Sequence, residues 1–241
     1  MKNKPFLVLF LVASLSNVLQ IDAQDDAKGQ TFRAGFTIGP VASDIPGTDT
    51  RDKDSDFSKL GFCVGALVNT RLNSKNFLQI EINYITKGAQ QDPDTANNGY
   101  FKLALNYIEV PIVWKHTLHM NVRRKPMDRL ESIFGVSAAR LVGKSYDEGG
   151  YGLAINNSTI NTTDVSIFGG IAFNFTPHIS FTIRYSNSVI PAINHNEPPA
   201  YLLRYTWNNG NNQVILMAVQ YVFGQARPAK TKTPVDTTPA P

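Results

Sequence analysis

The chain has 241 residues, of which 42% are hydrophobic and 17% are charged, and its formal net charge is +4. So small an excess of basic residues gives no indication of nucleic-acid binding. Cys63 is the single cysteine, which excludes an intramolecular disulfide.

The first 23 residues predict a secretory signal peptide. Lys2 and Lys4 precede an apolar run over residues 6–12, and a small-residue pattern ends at Ala23. The apolar run is too short to span a bilayer as a helix. Removing Lys2, Lys4 and Asp22 from the 23 basic and 19 acidic residues leaves 21 and 18, a net charge of +3. Residues 24–30 then form a short lead, and no later segment approaches the roughly 18 apolar residues of a transmembrane helix.

From residue 31 onward, apolar side chains alternate with polar or small ones, as in strands with two different faces. The pattern predicts eight strands, at residues 31–39, 59–71, 77–87, 100–116, 129–141, 163–175, 179–186 and 213–223. In the fourth, the apolar positions change parity between Tyr107 and Ile108, which predicts a β-bulge there. A barrel domain is therefore expected over residues 31–223, followed by a disordered, Pro- and Thr-rich periplasmic tail at 224–241.

The last strand has an apolar or aromatic side chain at every second position and ends on an aromatic. These five side chains share one face: Ile215, Met217, Val219, Tyr221 and Phe223. Closing strands of outer-membrane barrels have this pattern. A half-buried strand of a soluble sheet has it too, and a lipocalin-like soluble barrel would place the apolar set inside.

Three features favour an antiparallel outer-membrane β-barrel with its apolar face towards lipid. The connections run long, short, long, moderate, long, short, long, which matches long extracellular loops and short periplasmic turns with both termini periplasmic. Aromatic residues lie near the strand ends, where interface girdles are found. The opposite face carries charges of both signs: Arg33, Glu81, Lys87, Glu109, Lys115 and Arg184. An eight-stranded barrel is only about wide enough for side chains, so these charges predict a lumen filled by salt bridges and hydrogen bonds, without a sizeable pore.

Three segments carry a family resemblance. Residues 59–62 read KLGF, residues 77–84 read FLQIEINY and are followed by Lys87 and Gly88, and residues 105–111 read LNYIEVP. They resemble the PorT-like family of outer-membrane β-barrel proteins from the Bacteroidetes, and the resemblance runs from about Phe32 to Phe223. It implies an eight-stranded barrel. Because the founding member is linked to the type IX route, it also implies a role in protein secretion.

The candidate chemical motifs are incomplete. His116 and His119 flank a basic connection that has no carboxylate or cysteine close in sequence for a metal. His195 and Glu197, together with loop serines, could form part of a hydrolase constellation, but no nucleophile elbow accompanies them. The acidic loop at 41–58 lacks the glycine and final glutamate of an EF-hand. The sequence therefore predicts no enzyme, no metal and no cofactor.

The function expected from the sequence is that of an envelope interaction or accessory protein. The barrel is predicted to be monomeric and to contact outer-membrane lipid. The loops at 41–58, 142–162 and 187–212 are the expected binding surfaces. Arg123, Arg124 and Lys125 are expected to face periplasmic or secretion-system proteins. Two alternatives stay open, namely a narrow porin for small solutes and a hydrolase at the barrel rim.

Overall fold

The computed structural model describes residues 32–46, 57–73, 75–91, 100–118, 130–148, 160–193 and 210–223. The predicted signal peptide, lead and tail lie outside these ranges, as do Arg123, Arg124, Lys125, His119 and His195. Within the described ranges, no helix is long and apolar enough to cross a membrane.

Eight antiparallel strands form one closed barrel, which confirms the predicted fold class. Each strand pairs with its sequence neighbours, and β1 closes the barrel against β8. The strands are β1 (Phe32–Asp44), β2 (Lys59–Arg71), β3 (Asn76–Gln91), β4 (Phe101–Thr117), β5 (Leu130–Glu148), β6 (Thr163–Asn174), β7 (Ile179–Pro191) and β8 (Asn211–Val222).

The two kinds of connection lie at opposite ends of the barrel. The end that holds both barrel termini and the connections 72–75, 118–129 and 175–178 is called the turn end below. The end that holds the connections 45–58, 92–100, 149–162 and 192–210 is called the loop end. Several strands continue further towards the loop end than predicted: β1 to Asp44, β5 to Glu148 and β7 to Pro191. Serine, proline and charged residues interrupt these extensions, so their apolar alternation is too weak to be recognised in the sequence.

The outer wall of the barrel is apolar. On β2, Leu60 and Phe62 point outward and are exposed, whereas Cys63, Leu67 and Asn69 point inward and are buried. The other strands alternate in the same sense, and their outward residues include Ile80, Ile112, Val136, Ile167 and Met217. This orientation is that of a barrel in lipid rather than of a soluble barrel, which hides its apolar face inside.

The β-bulge lies on β5, so the prediction of a bulge on β4 at Tyr107 and Ile108 is wrong. Asn106 pairs with Gly143 and Tyr107 with Leu141, which leaves Val142 as the extra residue. Through this region β4 keeps its alternation. The parity of the apolar residues changes because the barrel interior itself changes, from apolar near the loop end to charged near the middle.

Candidate functional site

Among the described residues, the interior of the barrel is where buried polar and charged side chains concentrate. All six charged residues predicted for the lumen lie there, and five of them are buried. Arg33, which lies nearest the turn end, is half-buried. The interior has four successive layers between the loop end and the turn end.

The layer nearest the loop end is apolar, which the sequence did not predict for the lumen. Leu103, Leu105 and Tyr107 of β4 are fully buried in it, together with Ile45 and Ile193. Ile193 also forms an isolated backbone bridge with Ile160. Because these side chains pack directly against one another, the lumen is closed at this end by a hydrophobic core rather than by ion pairs alone.

The second layer is organised around Lys87, whose side chain is 1% exposed. Its Nζ lies 2.7 Å from Glu109 Oε2 and 3.0 Å from Asp164 Oδ2. Asp164 also accepts hydrogen bonds from the hydroxyls of Ser166 and Ser188 and, at 3.1 Å, from Asn212 Nδ2. One lysine therefore joins carboxylates of β4 and β6 inside the barrel, and Asp164 has three further donors of its own.

The third layer is organised around Glu81 and Arg184. Arg184 Nη1 donates to Glu81 Oε2 at 3.0 Å, and Nη2 donates to Oε1. Glu81 accepts further hydrogen bonds from the side-chain amides of Gln79, Asn83 and Gln220. A buried carboxylate with a bidentate guanidinium and three amide donors has the satisfied geometry that a buried ion pair needs to persist.

The fourth layer is the mouth of the barrel at the turn end. Arg33 Nε donates to Asn69 Oδ1 at 3.1 Å, and Lys115 Nζ donates to Gln220 Oε1 at 2.9 Å. Glu131 is buried beside them at 8% exposure. Gln220 links this layer to the third, since its amide nitrogen donates to Glu81.

The charges of these layers balance. In the second, third and fourth layers the four cations are Arg33, Lys87, Lys115 and Arg184, and the four carboxylates are Glu81, Glu109, Glu131 and Asp164. Nearer the loop end, Lys59 and Asp44 are also buried, which adds one charge of each sign. The predicted set contained all four cations but only two of the carboxylates, and missed Glu131 and Asp164. The predicted set had a net charge of +2, and this imbalance in a narrow lumen was the signal that further acids had to line it. The inward positions of β5 and β6 supply the two missing acids.

The closing-strand side chains all face outward, away from these layers. Met217, Val219 and Phe223 are exposed, Ile215 and Tyr221 partly so, and the alternate residues Val214, Leu216, Ala218, Gln220 and Val222 face inward. At the seam with β1, the rings of Phe36 and Tyr221 stack 5.5 Å apart, and Phe223 contacts both. Such an aromatic cluster near the turn end suits the border between lipid and water.

His116 lies at the turn end of β4, where its Nδ1 is 2.7 Å from Asn76 Oδ1. Within the described ranges, no group of three or more His, Cys, Asp or Glu side chains is arranged to hold a metal ion. Cys63 is buried inside the barrel as a free thiol.

A closed eight-stranded barrel with an apolar outer wall and a filled, charge-balanced interior is a transmembrane barrel of the outer-membrane type. The chain belongs to the outer membrane protein beta-barrel domain family, whose model matches residues 22–194. Membership of this family assigns the protein to the outer membrane. A search of curated proteins finds no match.

Several solved structures are similar to the chain in fold. Neisserial surface protein A is 14% identical, with 81% of this chain and 100% of that chain covered and a TM-score of 0.46. Ail, the attachment invasion locus protein of Yersinia pestis, is 12% identical, with 82% and 100% covered and a TM-score of 0.43. CarO2 of Acinetobacter baumannii is 10% identical, with 78% and 99% covered and a TM-score of 0.42. Similarity at this level does not extend to function.

Proposed function

We propose that the protein is a non-conducting outer-membrane barrel that works as an envelope interaction or accessory protein, without enzymatic activity. The observation that carries the proposal is the filled lumen. Lys87, Glu81 and Leu105 come from different layers, and each is at most 2% exposed. Because the interior is filled in this way, we expect the loops and turns of the barrel, rather than a pore, to carry its function.

Conductance in planar bilayers tests the closed lumen. Purified barrel, shown to be folded by its faster migration in an unheated gel, should give no conductance steps. The matched control is the variant Leu103→Ala/Leu105→Ala, in which two fully buried side chains of the apolar layer are cut back. If the wild-type barrel gives discrete steps that the variant enlarges, the protein is a narrow porin and the proposal is wrong.

The proposal includes an orientation, with the loop end outside the cell and the turn end in the periplasm. Two of the three turn-end connections have four residues, whereas three of the four loop-end connections have 14 or more, and this supports the orientation because outer-membrane barrels have short periplasmic turns. Because Cys63 is the only cysteine of the chain, a Cys63→Ala background has no native thiol. In that background, a membrane-impermeant maleimide should label Asp49→Cys but not Lys75→Cys in intact cells. The reverse result would invert the orientation.

The narrower proposal is that the barrel assists protein secretion by the type IX route. It is supported by the resemblance of residues 59–62, 77–84 and 105–111 to the PorT-like family. A strain that lacks the gene should accumulate exported proteins inside the cell, and the wild-type gene should restore export. An unchanged secreted-protein profile would contradict this role and leave a binding or structural barrel.

The proposed contact with a periplasmic partner uses Arg123, Arg124 and Lys125 in the connection between β4 and β5. Replacing all three with glutamine should reduce crosslinking between the turn end and periplasmic proteins, because it removes three positive charges from one segment. Arg140→Gln is a suitable control, since Arg140 lies on the exposed outer side of β5 and donates to Thr163. Equal crosslinking in wild type and the triple variant would contradict the proposed contact.

A further inference from the structure

The mouth of the barrel at the turn end contains a partly open cavity of about 30 Å³. All eight strands contribute to its lining, so it lies on the barrel axis rather than on the wall. The polar lining includes Arg33, Lys115, Glu131, Asn69 and Asn174. A cavity of this polarity and position is a place where a group from outside the barrel can meet the charged interior.

The charge of the mouth favours an anion. Arg33 and Lys115 provide two positive charges, and Glu131 provides one negative charge. Among the described residues, Arg33 donates only through Nε, so its two terminal nitrogens keep free donors. Lys115 donates one hydrogen bond, to Gln220, which leaves two of its three donors. The buried lysine is therefore held in place from below while its remaining donors stay available to the cavity.

The charge and shape of the lining narrow the choice of anion. Two cations and one carboxylate give the mouth a net charge of +1, which matches a singly charged carboxylate better than a phosphate group with a charge of about −1.5 to −2. A planar carboxylate also matches the fork of an arginine side chain. A water-sized group needs about 10–15 Å³ of such space, so the 30 Å³ of the mouth has room for a small group, and the rest of the ligand would extend through its open side.

We infer that the turn-end mouth is a binding site for a single carboxylate group, carried by an acidic side chain or by the C-terminus of a peptide. The terminal nitrogens of Arg33 and the Nζ of Lys115 donate to the carboxylate, and the amide of Asn174 borders it. Glu131 opposes the ligand, so it limits the affinity. This inference rests on the proposed interaction function. It adds that a partner protein would bind the turn end through a carboxylate group.

The test uses the full-length barrel in zwitterionic detergent micelles, with acetate as the probe and backbone amide NMR shifts as the readout. Acetate should shift the amides of Asn69, Lys115 and Ser180 at the turn end along one saturable curve. The amides of Lys87 and Asp164 in the second layer should not move. Equal shifts with chloride at the same ionic strength, tighter binding of inorganic phosphate, or shifts spread over the whole barrel would each overturn the inference.

Two variants act in opposite directions on binding. Lys115→Gln should weaken acetate binding by about tenfold, because it removes a charged donor. Glu131→Gln should tighten it, because it removes the opposing carboxylate. Arg140→Gln makes the same charge change as Lys115→Gln but lies on the outer wall, so its binding should equal that of wild type. If Lys115→Gln fails to fold, Glu131→Gln still decides, since unchanged or weaker binding in that variant overturns the site.

Two peptides separate the sources of the carboxylate. Acetyl-Gly-Asp-Gly-amide has only a side-chain carboxylate, and acetyl-Gly-Gly-Gly with a free C-terminus has only the terminal one. Binding of either peptide supports the site and names its ligand, whereas binding of neither overturns it. Conductance and secretion do not enter this measurement, so failure here leaves the proposed function standing without this ligand.

Discussion

Arg184 of β7 and Glu81 of β3 meet across the centre of the barrel through two parallel hydrogen bonds, one of them 3.0 Å long. In a closed order of eight strands, β3 and β7 lie on opposite walls. The pair therefore braces the barrel across its full width and closes the bore at that level. The side-chain amides of Gln79, Asn83 and Gln220 donate three further hydrogen bonds to the carboxylate.

The first prediction concerns this brace. Arg184→Leu should lower the free energy of unfolding by about 3–5 kcal/mol, because it leaves Glu81 as a buried carboxylate without its countercharge. Urea titration in detergent, with the folded fraction read from unheated gels, measures the change. Glu81→Leu should lower the free energy of unfolding by a similar amount, because it leaves the Arg184 guanidinium buried without its carboxylate.

The double variant Glu81→Leu/Arg184→Leu separates loss of the pair from loss of one partner. In the double variant the loss of unfolding free energy should be smaller than the sum of the two single losses, because no charge of the pair is left buried without its partner. Arg140→Leu, on the exposed outer side of β5, serves as the control for arginine removal. Strictly additive single losses would show that the two residues do not act as a pair.

The second prediction concerns Lys87, which lies between Glu109 and Asp164 at 2.7 and 3.0 Å. Lys87→Met should destabilise the barrel strongly, because two carboxylates then share one buried site without a cation. Adding Glu109→Gln and Asp164→Asn should restore part of the lost stability in the same urea titration. Lys102→Met provides the control, since Lys102 is exposed on the outside of β4.

Absence of any recovery in the triple variant would contradict an electrostatic origin of the defect. The loss would then come from contacts of Lys87 other than its ion pairs, such as the contact of its ammonium nitrogen with Tyr107, whose ring centre lies 5.4 Å away. Recovery by Asp164→Asn alone would identify Asp164 as the more costly of the two carboxylates.

Alternation of side chains was sufficient to predict the fold and the faces of most strands. On β7 the inward side chains of Ser180, Thr182 and Arg184 are polar, whereas the outward face is apolar and aromatic, so the two faces of this strand could be told apart in the sequence. The same reasoning failed on β4, where Leu105 and Glu109 share the inward face. On β4 the polarity of a residue does not indicate which face it lies on, because the interior is apolar near the loop end and charged closer to the turn end.

The cross-lumen partners could not be read from the sequence for a different reason. Which strands lie opposite each other follows from closure, but which side chains meet depends on the tilt and stagger of the strands. Lys87 and Asp164 are 77 residues apart in the chain. No local pattern links them, and only the balance of charge indicated that further acids had to line the lumen.

The third prediction concerns the apolar layer. Leu105→Ala should cost about 2–5 kcal/mol of unfolding free energy, because it leaves a cavity among fully buried side chains. Val142→Ala is the contrast, since Val142 is 56% exposed on the outer side of the bulge and should change stability far less. Comparable losses in the two variants would contradict a hydrophobic core at the loop end.

The fourth prediction concerns the lipid-facing side of the closing strand. Met217 is exposed on the outer wall, pairs with Ile183 of β7 and lies four residues from the aromatic Tyr221 at the turn end. Met217→Arg should therefore place a charge well inside the lipid-facing band and cost about 2–4 kcal/mol. Gln213→Arg, nearer the loop end on the same face, should cost much less because its side chain can reach water. In a water-exposed wall both substitutions would be nearly neutral, so equal small effects would show that this face does not contact lipid.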